Sequence, residues 1–204
     1  VGKEADKYGG VSLTGAKNKP CITIFDFGEG QEPSKFPTTF CGMSESNKQK
    51  IMFVQGRHCA GGTGALSYAQ EGIQLVLSWR SPKINDINCS NDIGFTVTRE
   101  FPVGDRNVKD PEYKYLMING SVPSFPFEPL KILPCTKNRD TAYEKNWEFG
   151  AFIKLFNYDL RNDTASSSVP DFSRKMSLHL VNPVFPVRCY DRRPDQMGKS
   201  PEQT

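Results

Sequence analysis

The stretch Ile22-Thr23-Ile24-Phe25-Asp26-Phe27-Gly28-Glu29-Gly30 decides how the chain is read. Residues 22–25 carry the alternation of a half-buried strand, and the glycines after them end it. Asp26 therefore stands where a strand stops. A carboxylate held there accepts hydrogen bonds from an exocyclic amine. Gly28 and Gly30 let the backbone approach a flat ring, because no side chain intervenes. Asp and Gly also make ordinary strand-ending turns, so the stretch takes its meaning from its downstream neighbours.

Two such segments give it that meaning. Gly61-Gly62-Thr63-Gly64 runs into Ala65-Leu66-Ser67-Tyr68-Ala69, whose composition favours a helix. Small residues leading into a helix N-terminus present unpaired N–H groups where the helix dipole favours anions, which suits phosphate. Between the two glycine motifs lies Ser44-Glu45-Ser46-Asn47-Lys48, a polar segment suited to a mobile lid whose Lys48 ammonium reaches a phosphate.

This order resembles the GHKL ATPase superfamily: a strand, then Asp-x-Gly-x-Gly, then a polar Ser/Lys segment, then Gly-x-x-Gly opening a helix. Asp26–Gln31, Ser46–Lys48, Phe53–Gly56 and Gly61–Leu66 resemble, more narrowly, the histidine-kinase and heat-shock-chaperone-like ATP-binding proteins, and the likeness spans residues 22–66. It implies an α/β fold of the Bergerat type, a two-layer α+β sandwich with a mixed sheet and helices on one face. It implies ATP with Mg2+ as ligand, hydrolysed in the full-length protein, with lid closure driving a conformational change or homodimerisation. Asp26 would bind the adenine amino group and Gly28 and Gly30 would border the ring. Gly61, Gly62, Thr63 and Gly64 would hold the phosphates, with Lys48 as lid contact.

The family also carries an upstream helix whose Asn ligates Mg2+ and whose Glu activates water. The residues before Asp26 are too few for it, so both groups are expected to lie outside this chain. The family's Gly-Thr-x-Ile strand, whose Thr supports the adenine-binding Asp, reads Gly150-Ala151-Phe152-Ile153 here. Losing that hydroxyl costs about 0.5–1.5 kcal/mol of affinity.

The rest of the chain fits one domain over 1–190 and a polar, disordered tail over 191–204. Strands are expected at Gln74–Trp79, Phe95–Thr98, Tyr113–Ile118 and around Phe152–Phe156, and Val187–Tyr190 is a last short apolar piece. Asn119-Gly120 signals a tight turn. The prolines in Val122–Phe127 confine that piece to an edge or an irregular course. Trp79 and Trp147 read as core, and the basic Arg188, Arg192 and Arg193 as a solvated face. Residues 173–181 read as a short helix or strand. The 204 residues hold 26 Lys+Arg against 23 Asp+Glu, a net charge of +3, so the composition does not mark a dedicated nucleic-acid binder. The 17 Gly and 15 Pro argue against a helical bundle or coiled coil. No apolar run is long enough to span a membrane.

Six cysteines never form a C-x-x-C pair, which argues against a zinc site. Together with sequons at Asn88, Asn119 and Asn162 they would fit a secreted β-rich binding protein with three disulfides. Without a leader pattern, a cytoplasmic protein with free thiols is the expectation. A third reading is a non-catalytic interaction module on the same scaffold as the ATPases. Gly198-Lys199-Ser200 imitates the end of a P-loop, but Arg193 stands where its first glycine belongs. His58 beside the glycine box is within reach of a phosphate but reads as a loop histidine without a role, and His179 as a satisfied buried or edge side chain.

Overall fold

The computed structural model describes residues 7–42, 64–84, 90–101, 112–160 and 185–196. Their elements are β1 (Gly9–Ala16), β2 (Lys19–Asp26), β3 (Gln74–Trp79), β4 (Asp92–Phe101), β5 (Glu112–Tyr115), β6 (Ser124–Pro126), β7 (Leu130–Leu133), β8 (Lys145–Trp147), β9 (Gly150–Leu155) and β10 (Arg188–Asp191). Eight strands make one sheet in the order β10-β1-β2-β9-β3-β4-β5, with β6 also paired to β4. β10 runs parallel to β1, and every other pair in the sheet is antiparallel. β7 and β8 form a separate two-stranded sheet.

This architecture corrects the expected two-layer α+β sandwich of the Bergerat type. The described residues hold ten strands and two 3-10 segments, Pro33–Thr38 and Gln70–Gly72. Within the stretch expected to be helical, residues 64–66 are helical and the chain turns away at 67–68. Five residues of favourable composition do not repay helix nucleation, and Glu71 takes a left-handed conformation (φ 57°) that stops any continuation.

Side-chain alternation divides the main sheet into two faces. One face buries Phe25, Leu77, Trp79, Phe152 and Tyr190 against Leu133 and Trp147 of the small sheet. Trp79 stacks on Phe127 with ring centroids 3.7 Å apart. Both tryptophans are core, as their apolar neighbours in the sequence led us to expect. The other face is covered piecemeal. Phe36 and Phe40 pack over Val76 and Ile153, Leu66 and Ala69 over Leu155, and Leu160 and Val187 over Leu13 and Ile22.

The turn at Asn119-Gly120 forms as expected. Ile118 and Ser121 exchange two backbone hydrogen bonds of 2.8 and 3.1 Å across it. Asn119 and Gly120 both have positive φ, 52° and 77°, which a two-residue primed turn demands. The proline-bearing piece after it becomes the three-residue edge strand β6.

Two results depart from the sequence reading. β1 lies in a region read only as polar. The residues expected to begin a solvated tail, Asp191, Arg192 and Arg193, are buried, at 4%, 2% and 1% exposure. The Arg193 guanidinium grips the Asp191 carboxylate through both oxygens, at 2.9 and 2.6 Å. Arg192 donates its backbone N–H to the Leu13 carbonyl and its guanidinium to the Cys135 carbonyl. Residues 173–181 and the P-loop imitation lie outside the described residues.

Candidate functional site

Asp26 is the last residue of β2, and the cross-strand register defines what surrounds it. Its partners are Gly9 on β1 and Ala151 on β9. Ala151 pairs with Ser78 on β3, and Ser78 with Gly94 on β4. One row across five strands therefore reads Gly9, Asp26, Ala151, Ser78, Gly94, with Asp26 the one long or charged side chain in it. The next row reads Val11, Ile24, Ile153, Val76, Thr96 on the same face. Ile24 is 44% exposed although its strand is interior to the sheet. An exposed carboxylate thus stands next to the exposed Ile24 side chain, while Val76 and Ile153 farther along the row lie under Phe36 and Phe40.

The carboxylate has a defined orientation. Asp26 Oδ1 accepts the Gly28 backbone N–H at 2.8 Å, an Asx-type turn that closes the strand end. Beyond it, Ser78 Oγ accepts the Gln31 backbone N–H and donates to the Gly150 carbonyl, both at 2.8 Å. Ser81 donates its backbone N–H to the Glu29 carbonyl, and Arg80 pairs with the Glu29 carboxylate at 2.9 Å. The loop after β2 is therefore pinned to the end of β3.

Two glycines here have tertiary reasons. Gly30 has φ +69°, and a Cβ on it would meet the Trp79 carbonyl oxygen at 2.0 Å. Gly150 has φ +106°, and a Cβ there would meet the Asp26 carbonyl oxygen at 2.1 Å. Backbones that approach this closely exclude a side chain. Sequence reasoning found Asp26, Gly28, Gly30 and Ala151. It missed Gly9, Ser78 and the Arg80–Glu29 pair, which carry no local signal and enter only through strand register.

Of the expected phosphate residues, Gly64 is described. It lies in the helical piece over residues 64–66, with the Ser67 hydroxyl donating to its carbonyl at 2.8 Å and open space where a Cβ would point. Leu66, two residues on, packs on Leu155, and Leu155 pairs with Ile22. The turn thus rests on the same face as Asp26, four residues along β2 from it, which is about 13 Å of strand. Lys48, Gly61, Gly62 and Thr63 lie outside the described residues, as do His58 and His179.

The surroundings offer little competing chemistry. Among the described residues no group of three or more His, Cys, Asp or Glu could hold a metal ion. Cys41, beside the Phe36–Phe40 cluster, has its thiol pushed up to about 11 by burial, so it is neutral and unreactive near pH 7. Cys21, Cys41, Cys135 and Cys189 are free thiols. The described cysteines form no disulfide, which counts against a three-disulfide framework. Among the described residues no helix is long and apolar enough to cross a membrane. Comparison with known protein families finds no model that matches the chain, and comparison with curated proteins finds no match either.

Proposed function

We propose that the chain binds an adenine nucleotide on the open face of its sheet, at the end of β2. The observation that carries this reading is the oriented Asp26 carboxylate in a row of small residues, beside the exposed Ile24. Asp26 accepts from the exocyclic amine while the Gly28 N–H holds the carboxylate in place. Ile24 presents an aliphatic surface for the ring. The triphosphate runs toward the turn at Gly64, whose offset of about 13 Å along the strand matches an extended nucleotide. The motif order over residues 22–66 supports the same assignment.

ATP and its Mg2+ belong to this reading as ligands, and hydrolysis is a separate question. Isothermal titration of the full chain with ATP tests the site. Asp26→Asn is expected to weaken binding about tenfold or more, the worth of a hydrogen bond to a charged group. Inosine triphosphate, which lacks the amine, should bind as weakly to the native protein as ATP does to the variant. Unchanged ATP affinity in Asp26→Asn removes the assignment. Phosphate release measured in the same samples separates an ATPase from a binding module.

A β-rich binding protein without nucleotide is the second reading, favoured by the predominance of strands. Four free thiols count against its disulfide-stapled, secreted form and accord with a reducing, cytoplasmic setting.

A further inference from the structure

The chain holds one Asn-Gly pair, Asn119-Gly120, which has no part in the nucleotide reading. The pair forms the tip of a projecting turn. The chain runs beside β4 as far as Leu116, whose N–H donates to the Val97 carbonyl at 2.9 Å. It returns to β4 where the Pro123 carbonyl accepts the Phe95 N–H at 3.0 Å. Between these two points Met117, Ile118, Asn119, Gly120 and Ser121 are all exposed. Successive residues point to opposite sides, so water reaches the tip from both.

Two features open the Asn119 side-chain amide to attack by the neighbouring backbone nitrogen. Gly120 has no side chain to shield that nitrogen, and open space lies where a Cβ would point. The two bonds that close the turn join Ile118 to Ser121, so the Gly120 N–H is outside them. A third feature opposes the attack. With φ of 52° and 77° at its two central residues the turn is of type I′. In that geometry ψ at Asn119 is about 30°, which turns the Gly120 nitrogen away from the Asn119 side chain. Ring closure therefore waits on opening of the turn. Two backbone bonds at an exposed tip make that opening cheap.

We infer that Asn119 is a site of spontaneous deamidation whose rate is set by opening of this turn. The Gly120 nitrogen gives up its proton and bonds to Asn119 Cγ. The Cγ–Nδ2 bond breaks, and ammonia leaves with that proton. Water then opens the cyclic imide. Attack at Cγ gives aspartate in the normal chain. Attack at the main-chain carbonyl gives isoaspartate, whose backbone runs through the side chain and gains a methylene. Aspartate before glycine still suits a primed turn. Isoaspartate does not, because the two-residue loop fixes the pairing around it. Val122 at the base of the turn is buried with Phe36 and Val76, so the lengthened backbone pulls on the cover of the open face.

The test incubates the full chain at mildly alkaline pH, with and without urea, and maps its peptides by mass spectrometry, with isoaspartate separated from aspartate by elution. In the folded protein Asn119 should be the first asparagine converted, and it should yield both acids. Urea, which holds the turn open, should speed its conversion about tenfold. Val122→Ala leaves the pair intact and loosens the base of the turn, so it should speed conversion in the folded protein about two- to fivefold. Another asparagine converting first, equal rates with and without urea, or a Val122→Ala rate equal to the native one would each overturn the inference.

Discussion

At the residue scale, Asp26 and the glycines near it obey different constraints although they share one motif. Asp26 sits at a strand end because the alternation of residues 22–25 puts it there, and that much is local. Gly30 is required by a distant partner, the Trp79 carbonyl. Gly30→Ala should therefore destabilise the fold by about 1–3 kcal/mol through strain alone, whereas Gly28→Ala, whose φ is not positive, should cost less. Urea unfolding of the two variants makes the comparison. The hydroxyls of Ser12, Thr14 and Thr23 pose the reverse case. All three are buried and have no hydrogen-bond partner. Thr23→Val keeps the shape and removes an unsatisfied polar group, so it should raise stability by about 1 kcal/mol. A loss of that size instead would reveal a buried water that satisfies the hydroxyl.

At the element scale, β1 and β10 were the least legible parts of the sheet. β1 reads Gly-Gly-Val-Ser-Leu-Thr-Gly-Ala, and only Val11 and Leu13 supply its apolar face. Its glycines lower strand propensity, yet it is held on both sides, by β2 and by β10. β10 was visible as an apolar piece, but its anchor was not. Three charged residues in sequence suggest a solvated surface, and only the fold brings Arg193 onto Asp191 and Arg192 onto the Cys135 carbonyl. Asp191→Ala leaves a buried guanidinium without its carboxylate and should cost about 3–5 kcal/mol. A fall in thermal midpoint with loss of β10 protection in hydrogen exchange is the expected result. An unchanged midpoint would mean that water reaches Arg193.

At the scale of the whole molecule, a mixed sheet with a small second sheet on one face leaves the other face incompletely covered by the described residues. That half-open face is where Asp26 and Ile24 lie, so architecture and candidate site are one feature. The buried thiols report on the integrity of this packing. Burial pushes Cys41 and Cys189 from 9.0 to about 11 in the folded state. The folded protein then holds protons that the unfolded chain releases, so stability is fully present below about pH 9 and falls as pH rises toward 11. Urea midpoints measured from neutral to alkaline pH should show that decline, and Cys189→Ala should flatten part of it. A midpoint independent of pH over this range would mean that both thiols are solvated.

Local signals in the sequence placed five of the ten strands, β2, β3, β4, β5 and β9, together with the tight turn at Asn119-Gly120, the two core tryptophans and the position of Asp26 at a strand end. These arise from periodicity and from backbone preferences of single residues, which act over a few neighbours. Only the tertiary structure decided that strands outweigh helices, that Gly9, Ala151, Ser78 and Gly94 share a row with Asp26, and that Arg192 and Arg193 are buried. Each of these depends on register between strands far apart in the chain. Cross-strand pairing and the burial it produces are properties of two segments at once, so neither segment alone carries the signal.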